Sequence, residues 1–322
     1  MRTSIAWAVL VFSLGILLLA GLVIGPLGFS PPRELARTVL ELRLARTLLA
    51  VLVGSVLGLS GLLIQYSVSN PLASPDILGV LQGAYVASML VVIVYRGSPP
   101  LGASLASGFL GGLAAYGLSI LIASRTGFTR TGLVLAGIAV ASMLAGASSL
   151  LTVLAEALAG VSAALMLLGT FAYATWDSVT VSFMGLVLGL AASLALARGL
   201  DALSYGDEIA ADLGYRPGAV RLAASGVAAL LSAVSVYAAG IVYFVALMAP
   251  NAARLLMGGH PSRAIPATLL IGALIGLGAD VASRLIALAA GTGEVPGGLL
   301  TTIVGGAFLA YMVIRSGAGA EQ

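Results

Sequence analysis

The sequence contains no lysine: all 15 of its basic residues are arginine. A Walker A loop reaches the nucleotide phosphates with a lysine, so this chain cannot carry one, and any ATP hydrolysis that drives it belongs to another subunit. Cysteine is also absent, which excludes disulfides, thiolate metal sites and thiol nucleophiles. The single histidine, His260, cannot build a histidine metal site alone. Charged residues make up only 8% of the chain against 60% hydrophobic, and the mean hydropathy is +1.12. No water-soluble globule covers its surface with so few polar groups. The chain reads as an all-α polytopic membrane protein forming one transmembrane domain over residues 1–322, and its net charge of +3, spread over loops, gives nucleic-acid binding no support.

The stretch from residue 43 to 84 organises the rest. From Leu44 to Ile64 the only charge is Arg46, giving the roughly 20 apolar residues that cross a hydrocarbon core. Gly54, Gly58 and Gly61 recur at spacings of four and three, so one face of this helix admits a close neighbour. The span then runs into Gln65, Asn70, Pro71, Leu72, Ser74, Pro75 and Asp76. Such irregular backbone is either an ordinary surface turn or a break buried in protein or lining a water-filled path.

Further apolar runs at about 5–25, 77–95, 101–123, 132–155, 180–198, 219–238, 240–257, 264–288 and 297–314 bring the total to about ten spans, with soft boundaries near Gly160 and Gly240. The first is read as an anchor and not a signal peptide, because its apolar run exceeds the usual 7 to 15 residues. Placing both termini inside puts nine arginines on the cytoplasmic side and six outside, which favours cytoplasmic termini. The outer six include Arg33, Arg37, Arg43 and Arg46, a cluster suited either to headgroup snorkelling or to docking an acidic partner.

Two polar segments stand out later in the chain. In 204–217, Asp207, Glu208 and Asp212 lie at helical spacing between Gly206 and Gly214, predicting a short cytoplasmic helix of two turns. Asp280 and Arg284 have the spacing of an intrahelical ion pair, and Glu294-x-Pro296-x-Gly298 reads as the start of the last span. An internal echo is also present: Arg43-Leu44-Ala45 stands ahead of Gly61 and Pro71 much as Arg221-Leu222-Ala223 stands ahead of Gly240 and Pro250. Five spans separate the copies, so the echo predicts an inverted-topology repeat.

Arg43-x-x-Arg46, Gln65, Asn70-Pro71-Leu72-Ala73-x-Pro75-x-x-Leu78-Gly79 and Gly83-Ala84 resemble the FecCD/BtuC-type permease subunits of ABC importers for iron-siderophores, haem and vitamin B12. Gly206-Asp207-Glu208-x-Ala210-x-x-Leu213-Gly214, the run from Gly240 to Arg254, and Glu294-x-Pro296-x-Gly298 extend the resemblance over about 5–315. Two departures occur: Met166, Gly169 and Thr170 stand where the family has a Trp-x-x-Gly-Ser signature, and Asn251 replaces its histidine.

The resemblance implies the type II ABC importer permease fold, taking up a metal chelate, a ferric siderophore first, with molybdate or tungstate, haem and cobalamin as alternatives, and working as a homodimer with two ATPase subunits that hold ATP and Mg. It implies an extracytoplasmic substrate-binding protein docking on Arg43, Arg46 and Arg284, and a bacterial or archaeal cell membrane, with lipid around the spans. Gly206, Asp207, Glu208, Ala210, Leu213 and Gly214 become the ATPase-coupling element. Gln65, Asn70, Pro71, Leu72, Arg130, Thr131 and Gly132 become the pathway and its cytoplasmic gate, and 156–179 a short helix near the outer mouth. Two other classes stay open on the residues alone. An ion-coupled secondary transporter shares inverted repeats but needs buried charges that most spans here lack, and an intramembrane enzyme lacks a paired carboxylate, histidine cluster or serine-lysine dyad.

Overall fold

The computed structural model describes residues 2–25, 28–30, 37–125, 130–160, 163–258, 261–292 and 294–318. In chain order these form α1 (Arg2–Val23), β1 (Ile24–Gly25), β2 (Gly28–Phe29), α2 (Arg37–Ser67), α3 (Val80–Val94), α4 (Leu101–Ser124), α5 (Arg130–Ala159), α6 (Ala164–Leu167), α7 (Trp176–Leu203), α8 (Asp207–Asp212), α9 (Pro217–Ala239), α10 (Val245–Met257), α11 (Pro261–Ala290) and α12 (Gly297–Ala318). Eight of the described helices are long and apolar enough to span a membrane; α3 and α10 are shorter apolar helices, which completes the expected ten. Among the described residues, the one departure from all-α is a two-residue antiparallel ladder after α1, Ile24 opposite Phe29. Both soft boundaries fall where glycine adopts a left-handed backbone, at Gly160 (φ 67°) and Gly240 (φ 73°).

Helix α2 is the centre of the bundle. Its apolar window is 83% buried, against 6% for α1, so α2 is enclosed by other helices while α1 faces lipid. Lipid offers no hydrophobic drive for helix to pack on helix, so close backbone approach must supply the dispersion energy. Gly54 lies against the Gly272 carbonyl of α11, and a methyl at Gly58 would stand 3.0 Å from the Thr268 carbonyl. Gly61 covers the Ala246 carbonyl of α10. Pro250 has no N–H to return to that carbonyl four residues earlier, so the proline frees an acceptor that only a glycine Cα can approach.

The packing has a symmetry that matches the sequence echo. With α1 to α5 set against α7, α9, α10, α11 and α12, the pairs α2–α11, α3–α4, α1–α2, α3–α5, α4–α5 and α2–α10 recur as α9–α4, α10–α11, α7–α9, α10–α12, α11–α12 and α9–α3. The first helix of each half departs from this pattern, α1 lying on α11 and α7 on α2. The repeat-related long helices α2 and α9 each end in a break followed by a short helix. The proline echo does not carry over: Pro71 lies within the first break, Pro250 inside α10.

A permease with a polar cluster at each end of its central helix

In the break after α2, Ala73, Ser74, Pro75 and Asp76 are inaccessible, and Gly137 of α5 packs against Ile77 and Leu78. The break is therefore divided: 73–76 is buried in protein, whereas Pro71 is exposed and Val68, Ser69 and Leu72 are half-buried. Asn70 shapes it, its Oδ1 accepting the Leu72 amide at 3.0 Å and its carbonyl the Ala73 amide at 3.1 Å. Asp76 then crosses to the second break, its Oδ2 accepting the amide of Phe244 at 3.0 Å. Phe244 caps α10 in a left-handed conformation (φ 64°), so a carboxylate sits at the positive end of that helix. The two interrupted helices therefore meet, start to start.

At the Arg46 end of α2, guanidinium and carboxylate groups from distant parts of the chain converge. Arg46 donates through Nε to Asp280 at 2.8 Å and holds Glu294 with both terminal nitrogens, at 2.5 and 3.2 Å. Asp280 pairs in turn with Arg284, one helical turn on. Arg43 and Arg284 close off α1. The last carbonyls of a helix have no intrahelical donor; Arg43 donates to Leu22 and Val23 at 3.0 and 2.8 Å and to Ser30 at 3.2 Å, and Arg284 to Gly21 and to Ile24 at 2.9 Å. The expected docking arginines are thus brought together, but not as an open patch. They are 8%, 9% and 2% exposed, and what they present is a cavity of about 230 Å³ shared with Leu42, Ala172 and Ala174. Arg37 stands apart, exposed and paired with Glu41; Arg33 lies outside the described residues. The 156–179 stretch resolves into the end of α5, the single turn α6 and the first residues of α7, whose Thr175 and Ser178 form a reciprocal cap.

About 20 residues, or roughly 30 Å at 1.5 Å each, separate Arg46 from the second cluster. There Arg254 of α10 donates to Gln65 and, at 2.7 Å, to Asn251, and its guanidinium stacks 5.2 Å from the centre of the Tyr66 ring. The Asn251 amide donates to Pro71 and to Leu247, both at 2.8 Å, binding α10 to the α2 break. A cavity of about 260 Å³ opens among Gln65, Tyr66, Asn70, Pro71, Ser204 and Arg254. Of the expected gate residues, Gln65, Asn70, Pro71 and Leu72 assemble here. Gly132 lies in the first turn of α5, and the side chains of Arg130 and Thr131 are outside the described residues.

Helix α8 hangs from this same end. Only Ala210 is buried, while Ile209 and the C-cap Leu213 are 47% and 62% exposed, an apolar face turned largely outward. Asp207 opens the helix beside Gly206 and is gripped by Arg221 of α9 at 2.7 and 2.5 Å. That guanidinium keeps the Asp207 carboxyl below its usual range. Arg221, Arg254, Asn251 and Asp76 were not among the residues singled out from sequence as site residues. Arg221 had a signal, since the echo aligns it with Arg43, and each donates to a helix-terminal carbonyl; Arg254 had its place in the motif, Asn251 its departure from the family's histidine, and Asp76 its place among the polar residues of the break.

Two interrupted helices joined through Asp76 and Phe244, polar clusters at both ends of the central span, and a short helix beside one of them suit a membrane permease. The chain belongs to the FecCD transport family, whose model matches residues 5–315. It is 34% identical over 271 residues to the Fe(3+)-citrate import system permease protein YfmD of Bacillus subtilis (strain 168), covering 84% of this chain and 79% of that one. It is 33% identical over 284 residues to the ferric enterobactin transport system permease protein FepG of Escherichia coli (strain K12), covering 88% and 84%. Its fold matches a structure described as an inward-facing conformation of a putative metal-chelate type ABC transporter, with a TM-score of 0.79, 27% identity, and coverage of 98% of this chain and 100% of the other.

Proposed function

We propose that this permease carries a ferric siderophore inward across a bacterial or archaeal cell membrane, as a homodimer joined by two ATPase subunits and a substrate-binding protein. The observation that carries the reading is α8, a short helix held to the bundle by Ala210 and Asp207 with Ile209 and Leu213 exposed, next to the Gln65–Arg254 cavity. ATP and Mg reside on the ATPase, and α8 inserts into it. The α8 end is then the cytoplasmic side, where both termini also lie, and the Arg46 end is the outer side. An acidic side chain of the binding protein enters the cavity between Arg43, Arg46 and Arg284. Arg46 and Arg284 share the two carboxylates of Asp280 and Glu294, while Arg43 is held by the backbone carbonyls of Leu22, Val23 and Ser30, so three cations against two anions leave charge for one further carboxylate.

The cargo rests on the relatives: both permeases described above serve ferric chelates by name. The test is to purify the tagged chain from its own membrane, identify its companions by mass spectrometry, and offer the recovered complex in vesicles labelled ferric citrate, ferric enterobactin, haem and cobalamin. Recovery of an ATPase and a binding protein with ATP-dependent uptake of a ferric siderophore is the expected result. Uptake of haem or cobalamin alone would reassign the cargo, and uptake driven by an ion gradient with no ATPase present would overturn the importer.

A further inference from the structure

We propose that Arg221 is the positioning residue through which movement of α8 reaches the gate at the end of α2. The proposal rests on the reading of α8 as the ATPase-contacting helix. Arg221 is anchored near the start of α9, and its planar fork serves two elements at once. Its terminal nitrogens hold both oxygens of Asp207 on α8, while its Nε donates to the Ser67 carbonyl at 2.8 Å. Ser67 is the last residue of α2, so that carbonyl has no helical donor and carries part of the negative end of the helix. One cation therefore ties the first residue of α8 to the last residue of α2.

The rest of the route follows from adjacency. α8 is held by Ala210, buried in the core, by its packing on α7 and α9 and by the Asp207 pair, and Asp207 is its one ion pair to the bundle among the described residues, so a push on its exposed face is felt at Asp207. A guanidinium is rigid, and a shift of the carboxylate that rotates its fork moves the Nε donor as well. On the α2 side, Ser67 follows directly on Tyr66 and Gln65, which touch Arg254. Arg254 holds Asn251, and Asn251 holds the Pro71 carbonyl. A second, weaker strap runs alongside, the Ser69 hydroxyl donating at 3.3 Å to the carbonyl of Leu203 at the end of α7. Lysine could not replace Arg221, because a single ammonium cannot hold both carboxylate oxygens and reach the Ser67 carbonyl in the same plane.

The test is hydrogen exchange of the permease–ATPase complex in lipid nanodiscs, with and without Mg·ATP, on the wild type, Arg221→Gln and Arg221→Lys. In the wild type, nucleotide is expected to change exchange both in 207–212 and in 68–79. In Arg221→Gln the change at 207–212 persists while that at 68–79 shrinks about tenfold, and Arg221→Lys recovers only part of it. ATPase recovery is measured on the same samples. Persistence of the full response at 68–79 in Arg221→Gln would overturn the proposal, as would a loss that only tracks loss of bound ATPase, since Arg221 would then merely hold α8 in place. Absence of any nucleotide response at 207–212 in the wild type would instead refute the α8 reading itself, and the proposal with it.

Discussion

The two ends of α2 are closed by different chemistry. At the Arg46 end, which the proposed orientation makes the outer one and the Arg254 end the inner, Arg46, Asp280, Arg284 and Glu294 are joined by ion pairs, with Asp280 fully buried between two arginines. At the inner end the contacts are made by amides, carbonyls and one stacked guanidinium, and the charged pair, Arg221 with Asp207, is part exposed. Breaking a buried ion pair strands a charge, whereas exchanging one amide contact for another, or for water, is nearly neutral. The outer end is thus built to stay together, and the inner end to rearrange.

The largest effect expected from this contrast is at Asp280. Asp280→Ala leaves Arg46 and Arg284 without their shared carboxylate and should cost about 3–5 kcal/mol of stability, read from denaturant titration in detergent. At the inner end, Asn251→Ala removes the ties to Pro71, Leu247 and Arg254 and should cost about 1–2 kcal/mol, yet stop ATP-driven uptake in vesicles. If Asn251→Ala proves the costlier of the two in stability, the contrast is wrong. Salt separates the ends further. At about 1 M ionic strength the screening length falls to about 3 Å, so the Arg221–Asp207 pair loses its contribution, about 0.2–1 kcal/mol, while the buried pairs of Asp280 keep theirs; unfolding of Arg221→Gln and Asp280→Asn measured at low and high salt reports the difference.

The smallest expected effect is that of pH. Arg221 depresses the folded-state titration of Asp207, so the pair's contribution is fully present above the unfolded value of about 3.9 and is lost only as pH falls through the lower folded value. Uptake per ATP hydrolysed should stay flat from about pH 5 to about pH 8, and a fall near neutrality would show that another group controls the inner end.

How much of this was legible in the sequence depended on range. The spans follow from apolar runs because a hydrocarbon core sets a minimum length, and the Asp280–Arg284 pair follows from a one-turn spacing within a helix. The partner of Arg46 did not follow: 234 residues separate it from Asp280, and nothing local marks the two as neighbours. The arginines of the outer cluster were legible as a group, but not as caps of α1, since the orphan carbonyls of a helix end are invisible without the fold. Gly61 could be read as a packing position; that it faces the carbonyl released by Pro250 could not. The Arg43–Arg221 echo was legible, and its meaning, two guanidiniums each seated on the end of a neighbouring helix, came only from the structure.

The most direct test of the contrast is a pair of distances within one chain of the assembled importer, measured by electron spin resonance before and after Mg·ATP binding. The chain has no native cysteine, so labels placed through introduced cysteines need no background removal. One pair, at Leu42 and Leu285, spans α2 and α11 beside the outer cluster; the other, at Leu222 and Leu255, spans α9 and α10 at the inner end. The labelled chain is diluted with unlabelled copies so that only distances within one chain are read. A change of about 5 Å at the inner pair with no change at the outer pair is the predicted result. Movement of the outer pair with the inner pair fixed would contradict it.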